Sequence, residues 1–518
     1  MPTLDKQIEN AEKRERLSRL KLADVQNRAM YEAVEEGRKK QRHSPKIEFG
    51  DEQTLNLTRD RLKGIATTRD QYRNYAISKN HVRTIVNNAI GTDIKLVLYP
   101  SEDESNKAAA RWFNRDWSRD CEARQGWHRN DLNKLILTQF LREGDIVAFF
   151  DRGGVIPGGE GKVWLWEPDQ IVNLSDQEFK KKRAAITDQL GPFYEGKYGI
   201  TLKDADLSQG DGVILDKWGR TLGYMVHNKH GMTIAKADDV TILPRGPARL
   251  IMQPWRVNTV RGMSELLTIA NDTQHVREIR EAALMRMKVQ SFIVMAIKKA
   301  DAAQAGLTRS GNDATVAAAG TMGDNYENFE KITRGAIEYL GNGEEVQNLS
   351  LPGDSVDIET MLKYATASSG MGLGLAKAYA LAESASSYSA GMFEGNMTWP
   401  TFRAYSKHME RYVLDWEAEE ALTWGVERGK IKGLADGWKD NLGWTGWPER
   451  MAINPAAEAN AKKTRLSIGD LDWADMLGPD WREKLASLGE QIKAGRDAGF
   501  FTPVFEPKPQ SNGGQNNG

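Results

Sequence analysis

Apolar residues return at helical spacing across residues 61–90. Tyr75, Val82, Ile85, Val86 and Ala89 fall near one face, and Gly91 is placed to end the helix. Residues 94–98 then read as a strand. Trp112, Phe113 and Trp117 sit on a second short helix, where core packing is the simplest use of three large rings. A helix over 130–141 stops before Gly144. Residues 145–151 and 162–167 follow as strands, and 213–216 and 224–227 form a strand pair turned at Trp218, Gly219 and Arg220. One more strand is expected at 240–243, and Pro244, Pro247 and Pro254 close this mixed region.

At Gly262 the texture changes. Leu266, Ile269, Val276, Ile279, Ala283 and Met287 recur at helical spacing over 264–288, with Arg277, Glu278, Arg280 and Glu281 between them. A loop-rich stretch with Gly306, Gly311, Gly320 and Gly323 follows, closed by a strand pair at 336–340 and 346–351. Residues 357–369 predict a second helix. The segment 370–385 is small, apolar and nearly uncharged. Two long helices, 386–399 and 401–425, are expected to part at Pro400, since proline removes a helical donor. From 454 the chain is helical with punctuating glycines, and the Pro, Asn, Gln and Gly of 503–518 predict disorder.

Composition narrows the function classes. The 518 residues exceed one ordinary core, and 40% hydrophobic content is enough to fold. With 71 Lys+Arg against 72 Asp+Glu the chain lacks the basic excess of strong nonspecific duplex binders. A cluster at Arg38, Lys39, Lys40 and Arg42 reads as a solvated linker or a peripheral contact. The one cysteine, Cys121, permits no internal disulfide and has no activating partner in the pattern. The charged start is unlike a signal peptide, and the apolar run at 292–297 is far too short to span a membrane. These features predict a soluble cytoplasmic protein.

Candidate chemistry fails on spacing. The run Gly153-Gly154 to Gly158-Gly159-Glu160-Gly161-Lys162 invites a phosphate-loop reading, but Ile156 stands at the first glycine position and Val163 at the Mg²⁺-binding Ser or Thr. A glycine-rich hairpin loop fits better. Gly370, Gly372 and Gly374 do not make a dinucleotide fingerprint, because a helix precedes them. His227 and His230 lack companions at metal-site spacing. No catalytic residue, cofactor site or metal site is therefore expected.

Several segments, taken in order, resemble the portal proteins of lambda-like tailed phages. The likeness covers about residues 60–500. Asn74-Tyr75-Ala76 with Ala89-Ile90-Gly91-Thr92 is similar to an early helix of that family and its closing turn, with Asp93 in place of a second glycine. Leu141-Arg142-Glu143-Gly144-Asp145 resembles a strand entry. Trp164-Leu165-Trp166-Glu167-Pro168-Asp169-Gln170-Ile171 resembles the most specific stretch, departing at Trp166. Val260-Arg261-Gly262-Met263-Ser264 and Glu281-Ala282-Ala283-Leu284-Met285 resemble the start and body of a long helix. Ser387-Tyr388-Ser389-Ala390 stands where the family has Asn-Tyr-Ser-Ser, departing at both ends.

The resemblance implies an α+β, mainly helical portal fold with wing, long stem helices, small α/β clip and helical crown, assembled as a ring of twelve. It implies a charged arm at 1–60, wing at 61–261 and 386–453, stem helices at 262–288 and 354–370, clip at 289–353, tunnel loop at 371–385, crown at 454–502 and a disordered tail at 503–518. Implied partners are double-stranded DNA in the channel, the terminase large subunit, head–tail adaptor proteins and major capsid or scaffold proteins. The place implied is the capsid vertex of the virion, and the host cytoplasm during assembly, with no membrane partner. Twelve helices packed side by side leave a hole of roughly 20–28 Å, which a duplex just passes. The channel-facing residues implied are Met371, Gly372, Leu373, Gly374, Leu375, Lys377 and Tyr379. A buried turn between two helices is the competing reading of that segment. A DNA-processing enzyme and another ring-forming head–tail connector are the alternatives for the whole chain; the first would need an intact phosphate loop or a carboxylate metal cluster.

Overall fold

The computed structural model describes residues 57–99, 103–230, 234–254, 256–257, 259–292, 296–299, 344–347, 355–383, 387–448, 450, 455–467 and 481–497. The expectations for 1–56, for the basic cluster at 38–42, for the tail 503–518 and for most of 289–353 fall outside them, as do 384–386 and parts of 454–502. The chain divides into two units, Met1–Ala270 with Gly370–Gly518, and Asn271–Ser369.

The first unit opens with α1 (Leu57–Asn74) and α2 (Ala76–Ala89), so the single helix expected over 61–90 is two. The break falls at Tyr75, whose extended backbone stands at the cap of α2. Val82, Ile85, Val86 and Ala89 are buried along α2, and Gly91 follows with φ +69°. Then come β1 (Lys95–Leu98), α3 (Glu104–Arg115), a 3-10 turn at Trp117–Asp120 and α4 (Arg129–Glu143). Asp103 caps α3 by accepting from the backbone N–H groups of Ser105 and Asn106.

Next are β2 (Asp145–Phe150), β3 (Val163–Trp166), β4 (Asn173–Leu174), α5 (Asp176–Tyr198), β5 (Ser208–Gly210), β6 (Val213–Leu215), β7 (Thr221–His227), β8 (Ile234–Ala235), β9 (Val240–Pro244) and β10 (Ala248–Met252). One antiparallel sheet has the order β10-β2-β3, and another has the order β5-β6-β7-β9. Strand β2 is buried along its whole length, which is why Ile-Val-Ala-Phe-Phe runs unbroken where a half-exposed strand would alternate. Helix α5 and strand β10 were not foreseen. The buried residues of α5 are Phe179, Ile186, Leu190 and Tyr194, a thin stripe in a charged helix that also carries Pro192. Ser175 caps its start, and left-handed Gly199 ends it.

The chain leaves this unit through α6 (Ala270–Phe292). That helix begins later than the expected 264, because Ser264 caps a separate 3-10 turn at Glu265–Leu267. The second unit holds the body of α6, an antiparallel pair of β11 (Ala296–Lys299) with β12 (Glu344–Gln347), and α7 (Ser355–Met371). The strand expected at 336–340 lies outside the described residues, and the described partner of 344–347 is 296–299. The Ser368 hydroxyl donates to Asp272 at 2.9 Å, joining α7 to the first turn of α6.

The first unit resumes with a short α8 (Lys377–Leu381), α9 (Tyr388–Met409), a π-helical turn at Glu410–Leu414, α10 (Asp415–Glu427), β13 (Leu442–Thr445), α11 (Pro455–Ser467) and α12 (Trp481–Asp497). The break expected at Pro400 does not occur. Pro400 lies inside α9, and burial of Thr398, Phe402, Tyr405 and Met409 on one face carries the helix through it. Among the described residues no helix is long and apolar enough to cross a membrane.

Three cores result. The largest collects α2, α3, α4, β1, β2, α9 and α10 around Ile85, Phe113, Ile136, Phe402 and Trp416. A second lies where α5 covers Ile214, Leu222 and Met225. A third fills the space between the two sheets, with Phe149 and Trp166 against Val213, Tyr224 and Leu243. If packing at Phe402 holds α9 through its proline, Phe402→Ala should cost about 3–5 kcal/mol in denaturant unfolding. A loss below about 1 kcal/mol, small against a typical Phe→Ala truncation, would assign the continuity of the helix to another cause.

Candidate functional site

Two glycines set the most constrained point of the first unit. Gly144, at φ +96°, ends α4, and a Cβ there would overlap the Met263 backbone. A Cβ on Gly262 would overlap the Gly144 carbonyl. Only glycine permits this crossing of two chain segments. Around it, Arg261 and Asp145 form an ion pair with side chains 3% and 0% exposed. Arg261 donates from Nε to Asp145 Oδ2 at 2.6 Å and from Nη2 to Oδ1 at 2.9 Å. The Gly262 N–H adds a third bond to Asp145 at 2.9 Å. Ser264 donates to the Leu141 carbonyl and accepts from the Leu266 N–H, so one hydroxyl ties the end of α4 to the turn before α6.

The turn Glu167-Pro168-Asp169 is gripped at the same place. The Pro168 carbonyl accepts from Arg261 Nη2 at 3.0 Å and from Arg61 Nη1 at 3.4 Å. Arg61 holds Asp211 through two bonds at 2.8 and 3.0 Å. Arg69 reaches Glu143 at 2.7 Å, Glu167 at 2.6 Å and Asp169 at 2.9 Å. The turn is closed internally by the Glu167 N–H donating to the Gln170 side chain. Three segments far apart in the chain thus meet on two buried arginines, Arg61 and Arg261, and the half-buried Arg69. Burial works against the charge of Arg69, but Glu143 and Asp169 hold its pKa above the ordinary value. Burial also opposes the charge of Asp169; the bonds and charge of Arg69, with less from His230, bring its carboxyl below the usual range.

Glu167, Asp169 and His230 place ligand atoms within 4.8 Å of one another, the one such group among the described residues. Arg69 already donates to both carboxylates, so a metal ion would compete with a guanidinium for the same lone pairs. His227 instead accepts from the Lys229 N–H at 2.8 Å. The glycine run at 153–161 joins β2 to β3 as a loop. Asp151 shapes it by accepting from the Val155 and Ile156 N–H groups, and Lys162 pairs with Asp120 at 2.8 Å.

The segment from Gly370 is a helix cap. Gly374 N–H donates to the Met371 carbonyl and Leu375 N–H to the Gly370 carbonyl, with Gly374 at φ +72°: a left-handed Schellman ending to α7. Leu373 and Leu375, 3% and 1% exposed, are part of the largest core. Within the single chain these two residues pack as core anchors beside the glycine cap. Met371, Gly372, Gly374 and Lys377 are exposed, and Tyr379 is half-buried with its ring edge-on to Phe402. Helix α9 fixes the strip with side chains at 394, 398 and 401. Glu394 accepts from the Ala378 N–H, Thr398 accepts from the Ala376 N–H, and Thr401 donates to the Gly374 carbonyl.

Sequence reasoning quoted Asp145, Glu167, Asp169 and Arg261 without giving them partners, and did not single out Arg61 or Arg69. Asp145 and Arg261 are 116 positions apart, so no local periodicity pairs them.

Residues 38–405 match the family described as phage portal protein, lambda family. No curated protein matches the chain. Among solved structures, the chain is similar to a chain from the virion of a native gene transfer agent particle, at 12% identity and TM-score 0.43, covering 78% of this chain and 89% of that one. Others come from the neck of an empty particle computed with C6 symmetry, at 12% and 0.44 over 78% and 89%, and from the neck of a native particle computed with C12 symmetry, at 12% and 0.41 over 79% and 89%.

Removing one member of the buried pair leaves the other without compensation. Asp145→Asn should cost about 3–5 kcal/mol, while the double change Asp145→Leu with Arg261→Met should recover most of it. Equal loss in the single and double variants would show that the pair is not what joins these segments.

Proposed function

The chain belongs to the lambda family of phage portal proteins, and from that premise we propose that it assembles as a closed ring of twelve at one capsid vertex. Double-stranded DNA would enter and leave through the centre. The observation that carries the proposal is the junction of Asp145, Glu167-Pro168-Asp169 and Arg261-Gly262. Three of the stretches that carry the family likeness, 141–145, 164–171 and 260–264, are joined there through buried charges. Under this reading 61–261 and 386–453 form the wing, 262–288 and 354–370 the stem, 289–353 the clip and 454–502 the crown.

Exposed apolar side chains on the second unit support ring formation. Leu284, Met285 and Met287 are exposed on α6, and Met361 and Tyr364 on α7. A head-to-tail ring needs two different faces on each subunit, each covering its counterpart on the next copy. Such residues are what a helix would present to a neighbour. The near-balance of 71 basic and 72 acidic residues suits a conduit, since each phosphate contact would add to the hold on moving DNA. The ring would receive the terminase large subunit during packaging and head–tail adaptors afterwards, and would sit against major capsid or scaffold proteins. It would act without a cofactor and without catalysis of its own.

Under this reading the exposed residues Met371, Gly372, Gly374 and Lys377 would face DNA, with Lys377 as the positive charge. Leu373 and Leu375 serve as the anchors behind it.

Two outcomes test the proposal. Met285→Glu together with Tyr364→Glu should convert sedimenting rings to monomers while the helical circular dichroism persists; rings that survive both charges would remove the proposed interface. Lys377→Ala should leave rings intact and change packaging efficiency or the length of DNA retained. Packaging indistinguishable from the unmodified protein would take this segment out of the channel.

A further inference from the structure

Helix α10 brings Glu417 against α4 in the middle of the largest core. Glu417 is 0% exposed and Asn133 1%. Asn133 Nδ2 donates to Glu417 Oε2 at 3.1 Å. The other oxygen of each group, Glu417 Oε1 and Asn133 Oδ1, is buried with no hydrogen-bond partner. Two acceptors cannot satisfy each other, and leaving both unpaired inside the core is costly. A carboxylic acid, unlike a carboxylate, carries one donor and one acceptor, and so complements a primary amide.

We infer that Glu417 is protonated in the folded chain and closes a two-bond acid–amide ring with Asn133, making a pH-sensitive latch between α10 and α4. One proton on Oε1 supplies the donor that Asn133 Oδ1 lacks. The nearby cation does not supply that donor. Arg129 Nη1, itself buried without a hydrogen-bond partner, stands 4.0 Å from Glu417 Oε2, within ion-pair range and beyond hydrogen-bond range, and it does not reach Oε1. Its guanidinium instead donates to the Ile94 carbonyl and the Ser118 hydroxyl and lies 5.3 Å from the ring centres of both Phe113 and Trp444. Of the other ionisable groups around the pair, Cys121 is buried, and burial pushes its thiol up so that it stays neutral. Glu420, along α10, is held by Arg152 at 2.5 Å.

Burial pushes Glu417 up to about 7 from 4.5, with Arg129 and Asn133 opposing. Because the folded value is the higher one, the stabilisation is complete below pH 4.5 and is lost as pH rises through about 7. The latch is therefore closed in weak acid and weakened in weak base.

Denaturant unfolding of the full chain across this window tests the inference, using Glu417→Gln as the permanent acid mimic, whose amide donates to Asn133 whatever the pH. Relative to Glu417→Gln, the unmodified protein should lose stability between pH 4.5 and about 7, and Glu417→Gln should be the more stable form above that window; the slope from other groups, His408 among them, is common to both proteins and cancels in the difference. Identical slopes in the two proteins would overturn the inference. Infrared spectroscopy gives a second readout, in which the absence of any band decides without the variant. At about pH 6, where exposed carboxyls are ionised, the unmodified protein should show a protonated-carboxyl carbonyl band; burial also pushes the Glu265 and Asp415 carboxyls up, so the part belonging to Glu417 is the part missing from Glu417→Gln. No such band would equally overturn it.

Discussion

The ion pair between Arg261 and Asp145 is the contact on which the first unit's plan depends. Its side chains are nearly sealed from water, and it forms where two backbones cross through Gly144 and Gly262. A buried pair of this kind adds little net stability compared with well-packed apolar groups. What it supplies is register. Arg261 can satisfy Asp145, Pro168 and Asp211 together only if the end of α4, the turn after β3 and the chain before α6 are all in place. An arrangement that displaces any one of them leaves a charge uncompensated in the core. The chain at 261–264 is held in place by this requirement, and Ser264 holds it again through Leu141.

Elements with a strong local pattern were legible from the sequence. Helix α4, strands β2, β3, β6, β7 and β9 and helix α7 lie close to their expected positions, because each carries its own periodicity or turn. The failures have separate causes. Tyr75 breaks a pattern that apolar spacing alone runs straight through. Pro400 is overridden by the packing of Phe402 and Tyr405. Helix α5 hides in a charged stretch because its buried stripe is thin, and β10 hides because its pairing with β2 reaches back about a hundred residues. The motifs of the candidate junction were visible as words, but their grammar was not. Which arginine answers which carboxylate is a property of tertiary structure.

The glycine-rich strip after α7 shows how one composition supports two readings. Small, uncharged and apolar describes a flexible loop near DNA and a buried helix cap equally well. The carbonyl pattern at Gly370 and Met371 and the burial of Leu373 and Leu375 identify the cap, and α9 braces it at Glu394, Thr398 and Thr401. The cap leaves Lys377 and the glycine backbone on the exposed side.

Membership in the lambda portal family and the proposed ring meet in one observable, the shape of the purified chain. Cryo-electron microscopy of the full-length protein at high concentration should show closed rings with rotational symmetry and an axial hole of roughly 20–28 Å, the space left inside twelve helices packed side by side. Images holding only single chains, or rings whose centre is filled by protein, would contradict the proposed conduit.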